Sequence, residues 1–346
     1  MSKCYYSYEE IRYQNKSLKR TLEYVLGNGE EIKDFFKSAS DVVFVASGSS
    51  YWMSLSAHKT MHLFTGKKTF AVKAADVLMC PEEYVRLYDN PVFLCPSRSG
   101  QTREVLDALD ILEKAYPDTK IFSVTEYLNN KLFHRSDLAL SIEWANETSV
   151  CQTRSFSNLY TAFLVVAAII GDNDKFIEQL SDYFDKATDL YTKHEKIINA
   201  IASQEKLSSL VTLGAGSQYG VVIAGAYIVI EMAEFVSSYF QLLEYRHGPV
   251  VTVSNETAVF ICSYENADEF ESKLADEIRK EGGRVYSVSN SDMSWADITF
   301  SLNGDYANEI VALHFIFVMQ LFAHYFSIAR GKNPDYPGNL VPFITY

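Results

Sequence analysis

Apolar residues in this chain fall into short, dense runs, separated by longer stretches in which they recur every three or four positions. The runs at 42–46 (Val-Val-Phe-Val-Ala), 92–95 (Val-Phe-Leu-Cys), 121–124 (Ile-Phe-Ser-Val) and 137–142 have the length of strands and are nearly all apolar. Such strands are covered on both faces, as in a parallel sheet. Stretches 102–115 and 269–281 have helical spacing and fit crossover helices on such a sheet. Ile11, Leu18, Leu22 and Val25 are also helically spaced, so the first 40 residues are predicted to be helical.

The four runs then recur in the same order at 210–213, 259–262, 285–288 and 297–302, with a slowly drifting offset. The first run of each set leads into a turn of small residues, Ser47-Gly48-Ser49-Ser50 in one and Gly214-Ala215-Gly216-Ser217 in the other. One α/β module written twice is the reading this supports, each copy a parallel sheet with helices on both faces. At 346 residues the chain has room for both. The expected division is an N-terminal helical segment (1–34), a first module (35–170), a helical connector (171–205), a second module (206–330) and a C-terminal tail (331–346). Ligands of such sheets bind beyond the carboxyl ends of the strands, so the strand-to-helix turns carry the interest.

Charge narrows the choice of ligand. With 44 acidic and 31 basic residues the formal charge is −13, a surface that repels nucleic acid and anionic membranes. An anionic small molecule must therefore be held by local geometry. The five cysteines are scattered, without a CxxC pair, and point to free thiols in a reducing, cytoplasmic setting. The start lacks the apolar core of a signal peptide. Residues 159–170 are too few to span a bilayer, and 309–329 include His314, Gln320 and His324. Both are expected to be buried helices.

Directly after the run at 92–95 comes Pro96-Ser97-Arg98-Ser99-Gly100-Gln101-Thr102, where a helical pattern begins. A loop here presents backbone N–H groups at the positive end of a helix, and Ser97, Ser99 and Thr102 add hydroxyls, which together suit a phosphate. Hydroxyl residues also cap helices, so the cluster alone leaves two readings. The second copy separates them. Its equivalent stretch, Ser263-Tyr264-Glu265-Asn266-Ala267-Asp268, lacks the hydroxyl cluster and carries acids instead. Two residues of the second copy stand out chemically. Glu231 lies in the apolar stretch 224–233, where desolvation would make it a stronger base. His247 precedes Gly248-Pro249, a bend that can present an imidazole rigidly. His58 and His62 have metal-like i,i+4 spacing but lack the glutamate of a zinc motif, and the turn at 47–51 lacks the dinucleotide fingerprint. Neither a metal nor a cofactor is expected.

Taken together, the turn at 47–50, the loop at 97–102, the stretch 147–156 beginning at Glu147, the turn at 213–217, His247-Gly248-Pro249 and the stretch 333–340 resemble the double sugar-isomerase (SIS) domain family. The resemblance covers almost all the chain from about residue 35. It implies two flavodoxin-like modules, a three-layer α/β/α arrangement in each. It also implies that Ser97, Arg98, Ser99 and Thr102 hold a sugar phosphate, with Ser50 and Glu147 lining the site. Glu231 would move a proton between C1 and C2, and His247 would assist ring opening across a subunit interface. A homodimer with shared active sites follows from that. The aminating synthases of the family have a lysine where Pro342 stands and another at Ile228, and they draw ammonia from a glutaminase part not found here. The departures are similar to those of fructosamine-6-phosphate deglycases, as are the run 244–249 (Glu-Tyr-Arg-His-Gly-Pro) and the terminal Tyr346. The resemblance therefore implies a deglycase first, an aldose–ketose isomerase or aminosugar-phosphate deaminase second, and a non-catalytic sugar-phosphate sensor third.

Overall fold

The apolar runs become four of the five strands in each of two parallel sheets. The computed structural model describes residues 5–204, 206–338 and 340. Three helices come first, α1 (Tyr6–Arg12), α2 (Gln14–Gly27) and α3 (Gly29–Phe36). The first sheet alternates β1 (Asp41–Ala46), α4 (Ser49–Thr65), β2 (Lys68–Lys73), α5 (Ala74–Met79), β3 (Pro91–Ser97), α6 (Arg103–Ala115), β4 (Lys120–Thr125), α7 (Lys131–Arg135) and β5 (Leu138–Ser141). Helices α8 (Arg154–Ile170) and α9 (Asp174–Gln204) follow. The second sheet repeats the scheme with β6 (Ser209–Gly214), α10 (Tyr219–Ala233), β7 (Ser237–Gln241), β8 (Thr257–Cys262), α11 (Asp268–Lys280), β9 (Arg284–Ser289) and β10 (Ile298–Ser301), and α12 (Asn308–Ala329) closes it.

Strand order is the same in both sheets: β2-β1-β3-β4-β5 in the first and β7-β6-β8-β9-β10 in the second. This flavodoxin-like permutation, 2-1-3-4-5, is the internal repeat made visible in topology. Chain direction across the sheet reverses between β1 and β3, and again between β6 and β8. In the first sheet Phe44 lies beside Leu94, so the turns after β1 and β3 emerge side by side at that switch point. One of the two edge strands in each sheet, β2 or β7, escaped the sequence pattern. Only one of six residues of β2 is buried, and four of five in β7 are half-exposed, so neither forms a dense apolar run.

Each sheet has its own core. Val43, Val45, Phe93 and Cys95 pack with Val105, Leu109 and Leu112 of α6 on one face of the first sheet. On its other face Phe44, Phe122 and Phe163 meet edge to face, with ring centroids 5.3 and 6.1 Å apart. In the second sheet Leu213, Val259 and Ile261 pack with Leu274 and Ile278 of α11. Two segments, Gly216–Ala233 and Asn308–Ala329, have the length and hydropathy of a membrane span, but 72% and 94% of them is buried inside the fold. Nearly all of α8 is buried as well.

The chain forms two compact units, one from residues 16–147 and 154–181 around the first sheet, the other from 1–15, 148–153 and 182–340 around the second. Polar contacts explain why so short a piece as α1 joins the second. The Asp335 carboxylate accepts the Ser7 N–H at 2.8 Å, the Ser7 hydroxyl at 2.7 Å and the Tyr6 N–H at 2.9 Å. Glu10, also buried, accepts the Ser149 hydroxyl and the Thr148 N–H. In the first unit, Thr21 of α2 donates to Asn158 of α8 at 2.6 Å.

Candidate active site

Strand β3 runs through Ser97, and the chain then turns over the N-terminus of α6. Gly100 makes this turn possible. Its φ is +62°, and a Cβ there would lie 1.8 Å from Asn130 Oδ1. Asn130 is fixed in turn by capping α7, accepting the Phe133 N–H at 2.8 Å, while Leu132 N–H donates to the Gly100 carbonyl at 3.0 Å. The serines partly stabilise the loop itself: Ser97 Oγ accepts the Gly100 N–H at 3.0 Å and Ser99 Oγ the Gln101 N–H at 3.2 Å. Each hydroxyl keeps its proton for an outside acceptor. Thr102 occupies the N-cap of α6, yet its side chain makes no capping bond. The first helical amides, at Arg103, Glu104 and Val105, therefore lack partners within the helix. An open cavity of about 410 Å³ adjoins the loop, lined by Ser99, Gln101, Tyr127, Leu128, Asn129 and Glu143. Ser50, in the first turn of α4, is buried beside the β1–β3 switch point.

Arg98 turns inward rather than outward. Only 12% of its side chain is exposed, and Nη1 lies 3.5 Å from Oε1 of the fully buried Glu147 carboxylate. Glu147 also accepts the Ser155 hydroxyl. A third acid, missed in the sequence, sits with them. Glu126 directly follows β4, is completely buried, and its N–H donates to the Arg98 carbonyl at 3.3 Å. Neither of its carboxyl oxygens has a hydrogen-bond partner among the described residues. Burial pushes its pKa well above the ordinary carboxylate range, and Glu147 adds to the rise, against the opposing pull of Arg98, Arg154 and the nearby Ser155 hydroxyl.

Glu231 and His247 belong to the other unit. Helix α10 is buried along nearly all its length, and Tyr227, Ile230 and Glu231 form the half-exposed stripe near its C-terminal end. This is the i, i+3, i+4 spacing of one helical face. Tyr227 stacks obliquely on Tyr239 of β7 with centroids 5.8 Å apart, so the carboxylate stands beside an aromatic wall. Burial raises the Tyr227 phenol, and the charge of Glu231 contributes. His247 is exposed at the bend the sequence implied. Gly248 has φ +128°, a conformation that needs glycine, and Pro249 starts the next turn. Buried Tyr245 and the Arg246–Glu277 ion pair hold this bend to the body of the unit. The tail passes the end of α10, where Lys332 pairs with Glu234 at 2.5 Å. Tyr346 and Pro342 lie outside the described residues.

The second sheet's own switch point is closed. Gly216, at φ +53°, lies directly under the Tyr264 ring, which a Cβ would meet at 2.6 Å. The Tyr264 N–H is taken by Glu271 Oε1 at 2.9 Å. Glu271 is buried, which pushes its pKa up to about 7 despite that bond. The Glu265 N–H donates to Asn308 Oδ1 at 2.8 Å. Where the first copy has a hydroxyl cluster and a helix start without a side-chain cap, this one has a tyrosine plug and amides bound by acid and amide side chains.

The weaker constellations are accounted for by local bonds. His58 Nδ1 lies 3.3 Å from Thr69 Oγ1, and His62 Nδ1 donates to the Lys67 carbonyl at 2.7 Å. His314 is buried between Tyr183 and His194, at 3.1 and 2.9 Å. Among the described residues, no three His, Cys, Asp or Glu side chains converge as a metal site requires. The cysteines at 80, 95, 151 and 262 are free thiols.

No family model matches the chain. Solved structures align with nearly all of it. The tagatose-6-phosphate ketose/aldose isomerase of Escherichia coli superposes with a TM-score of 0.87 at 20% identity, over 97% of this chain and 96% of that one. The chain carries the double sugar-isomerase fold. A glucosamine-6-phosphate deaminase of Thermotoga maritima aligns at 26% identity with a TM-score of 0.78, over 94% and 99% of the two chains. In sequence the chain is 24% identical, over 343 residues, to the isomerizing glutamine–fructose-6-phosphate aminotransferase of Sulfurisphaera tokodaii. That match covers 97% of this chain and 56% of the relative, so the sugar-isomerase fold found here spans little more than half of it.

Proposed function

We propose that this double sugar-isomerase chain is a phosphosugar enzyme that cleaves 6-phosphorylated fructosamines into glucose 6-phosphate and an amine. The observation carrying this reading is the open loop at 97–102, a ready anion site with no counterpart at the plugged turn of the second sheet. The substrate phosphate would dock on the hydroxyls of Ser97, Ser99 and Thr102 and the first amides of α6, with Ser50 lining the site. Arg98 would act from behind the loop, held by Glu147. Glu231 takes a proton from C1 of the open-chain sugar, giving an enaminol. Protonation at C2 leaves an imine at C1, and water splits it into the aldose phosphate and the free amine. His247 relays protons on the sugar oxygens during ring opening. Its exposure, together with that of the apolar Val251 in the turn that follows it, supports a homodimer in which it serves the partner's site. The free cysteines suit a cytoplasmic setting.

A panel of 6-phosphorylated Amadori compounds, with glucose 6-phosphate release followed by a coupled assay, tests the reaction. Release of the sugar phosphate together with the amine is expected. A second reading, an aminosugar-phosphate deaminase or aldose–ketose isomerase, is favoured by the 26% identity to the Thermotoga maritima protein. A silent panel with turnover of glucosamine 6-phosphate or fructose 6-phosphate would select it. Mixing inactive Glu231→Gln and His247→Ala proteins tests the shared site: hybrid dimers should recover activity, and none is expected if each subunit is self-sufficient.

A further inference from the structure

We infer that Glu126 is a positioning residue for phosphate specificity: kept neutral beneath the loop, it leaves Arg98 and Arg154 in excess over Glu147. The inference rests on the phosphosugar reading and deepens it at the same site. Four elements meet at this acid. The end of β4 supplies Glu126 and Tyr127, the phosphate loop Arg98, the segment before α8 Glu147, and α8 itself Arg154 and Ser155. Ser155 gives its hydroxyl to Glu147. Arg154 donates to the Asn146 carbonyl, and its Nε is buried without a partner among the described residues. Tyr127, raised mainly by burial and next by Glu126, stays neutral. The charges that remain are two guanidinium groups and the Glu147 carboxylate.

Both oxygens of Glu126 are buried without a hydrogen-bond partner among the described residues, and the neighbouring Ser155 hydroxyl, which would favour the ionised form, is given to Glu147 instead, a setting that an ionised carboxylate tolerates poorly. With Glu126 protonated, the group beneath the loop carries one net positive charge. Ionised, it carries none. This gives a protein of formal charge −13 a local positive field where a sugar phosphate must dock. The Glu126 N–H bond to the Arg98 carbonyl ties the acid to the loop it serves. Anion affinity should therefore be highest while Glu126 is protonated and fall as rising pH ionises it.

Glucose 6-sulfate is the suitable probe because its charge is fixed, whereas a phosphate ester itself titrates near pH 6. Calorimetric titration from pH 6 to 9 should show wild-type affinity falling on the order of ten-fold. Glu126→Gln should remove that fall and bind more tightly than wild type at pH 9. A second measurement on wild type alone, in buffers of different ionisation enthalpy, should show proton uptake on binding at the alkaline end. A flat wild-type profile, an unchanged slope in Glu126→Gln, or no proton uptake would overturn the inference while leaving the phosphosugar reading standing. Absence of binding by both glucose 6-sulfate and glucose 6-phosphate at every pH would overturn both.

Discussion

The turn after β3 and the turn after β8 are the same place in two copies of one fold, and they have opposite contents. In the first, a left-handed glycine turns the backbone, two serine hydroxyls accept the loop's own amides, and the Thr102 side chain makes no capping bond at the helix start. In the second, Tyr264 covers Gly216, and Glu271 and Asn308 take the amides that an anion would need. The difference shows that the sheet alone does not make an anion site. Its topology supplies the crevice, and a few side chains decide whether the helix end is offered or used up. The second unit instead presents a carboxylate on the half-exposed stripe of α10 and an imidazole at a glycine-proline bend.

Substitutions can break this contrast or sharpen it. The largest effect should come from Glu231→Gln, which removes the proposed base: kcat should drop by ~10²–10⁴-fold with sugar-phosphate affinity kept, measured by steady-state kinetics and calorimetry. Next is a pH effect on stability in the closed site. Glu271 has its folded pKa raised from 4.5 to about 7, so it stabilises the fold most below pH 4.5, and that contribution is lost as pH rises to about 7. Denaturant titrations should show Glu271→Gln losing less stability than wild type across that window, by on the order of 3 kcal/mol. In the open site, Gly100→Ala forces a left-handed alanine against Asn130, and affinity should weaken by about 2 kcal/mol or more. Thr102→Val removes one hydroxyl donor to a charged ligand and should cost about 1.5 kcal/mol of binding. The smallest effect is expected from Tyr264→Ala. Unplugging the second turn should leave sugar-phosphate affinity within roughly two-fold of wild type, since its amides stay bound to Glu271 and Asn308. A new second binding site in that variant would mean that the plug alone distinguishes the two copies.

Strands β1, β3, β4 and β5 and their counterparts β6, β8, β9 and β10 were legible as short, largely apolar runs, and the repeat of these four runs exposed the duplication. The outer strands β2 and β7 were not legible, since half-exposed positions mix Lys, Ser and Gln into them. At the candidate site, the hydroxyl loop and its acidic counterpart could be read directly from 97–102 and 263–268. What the acids do there could not. That Glu271 binds the Tyr264 amide, and that the tyrosine ring lies on Gly216, depends on contacts between separate segments. Glu126 was invisible for the same reason. In sequence it is a carboxylate just past a strand, the usual signature of a solvated loop, whereas in the fold it is buried with residues 98, 147, 154 and 155 brought near it from other segments.

The most direct test of the division between the two copies is a titration of glucose 6-phosphate followed by amide nuclear magnetic resonance. The account predicts saturable shifts of the Ser99, Gly100 and Arg103–Val105 amides, with those of Gly216, Tyr264 and Glu265 unmoved. Shifts confined to the second group, or no shift at the first under saturating ligand, would contradict it.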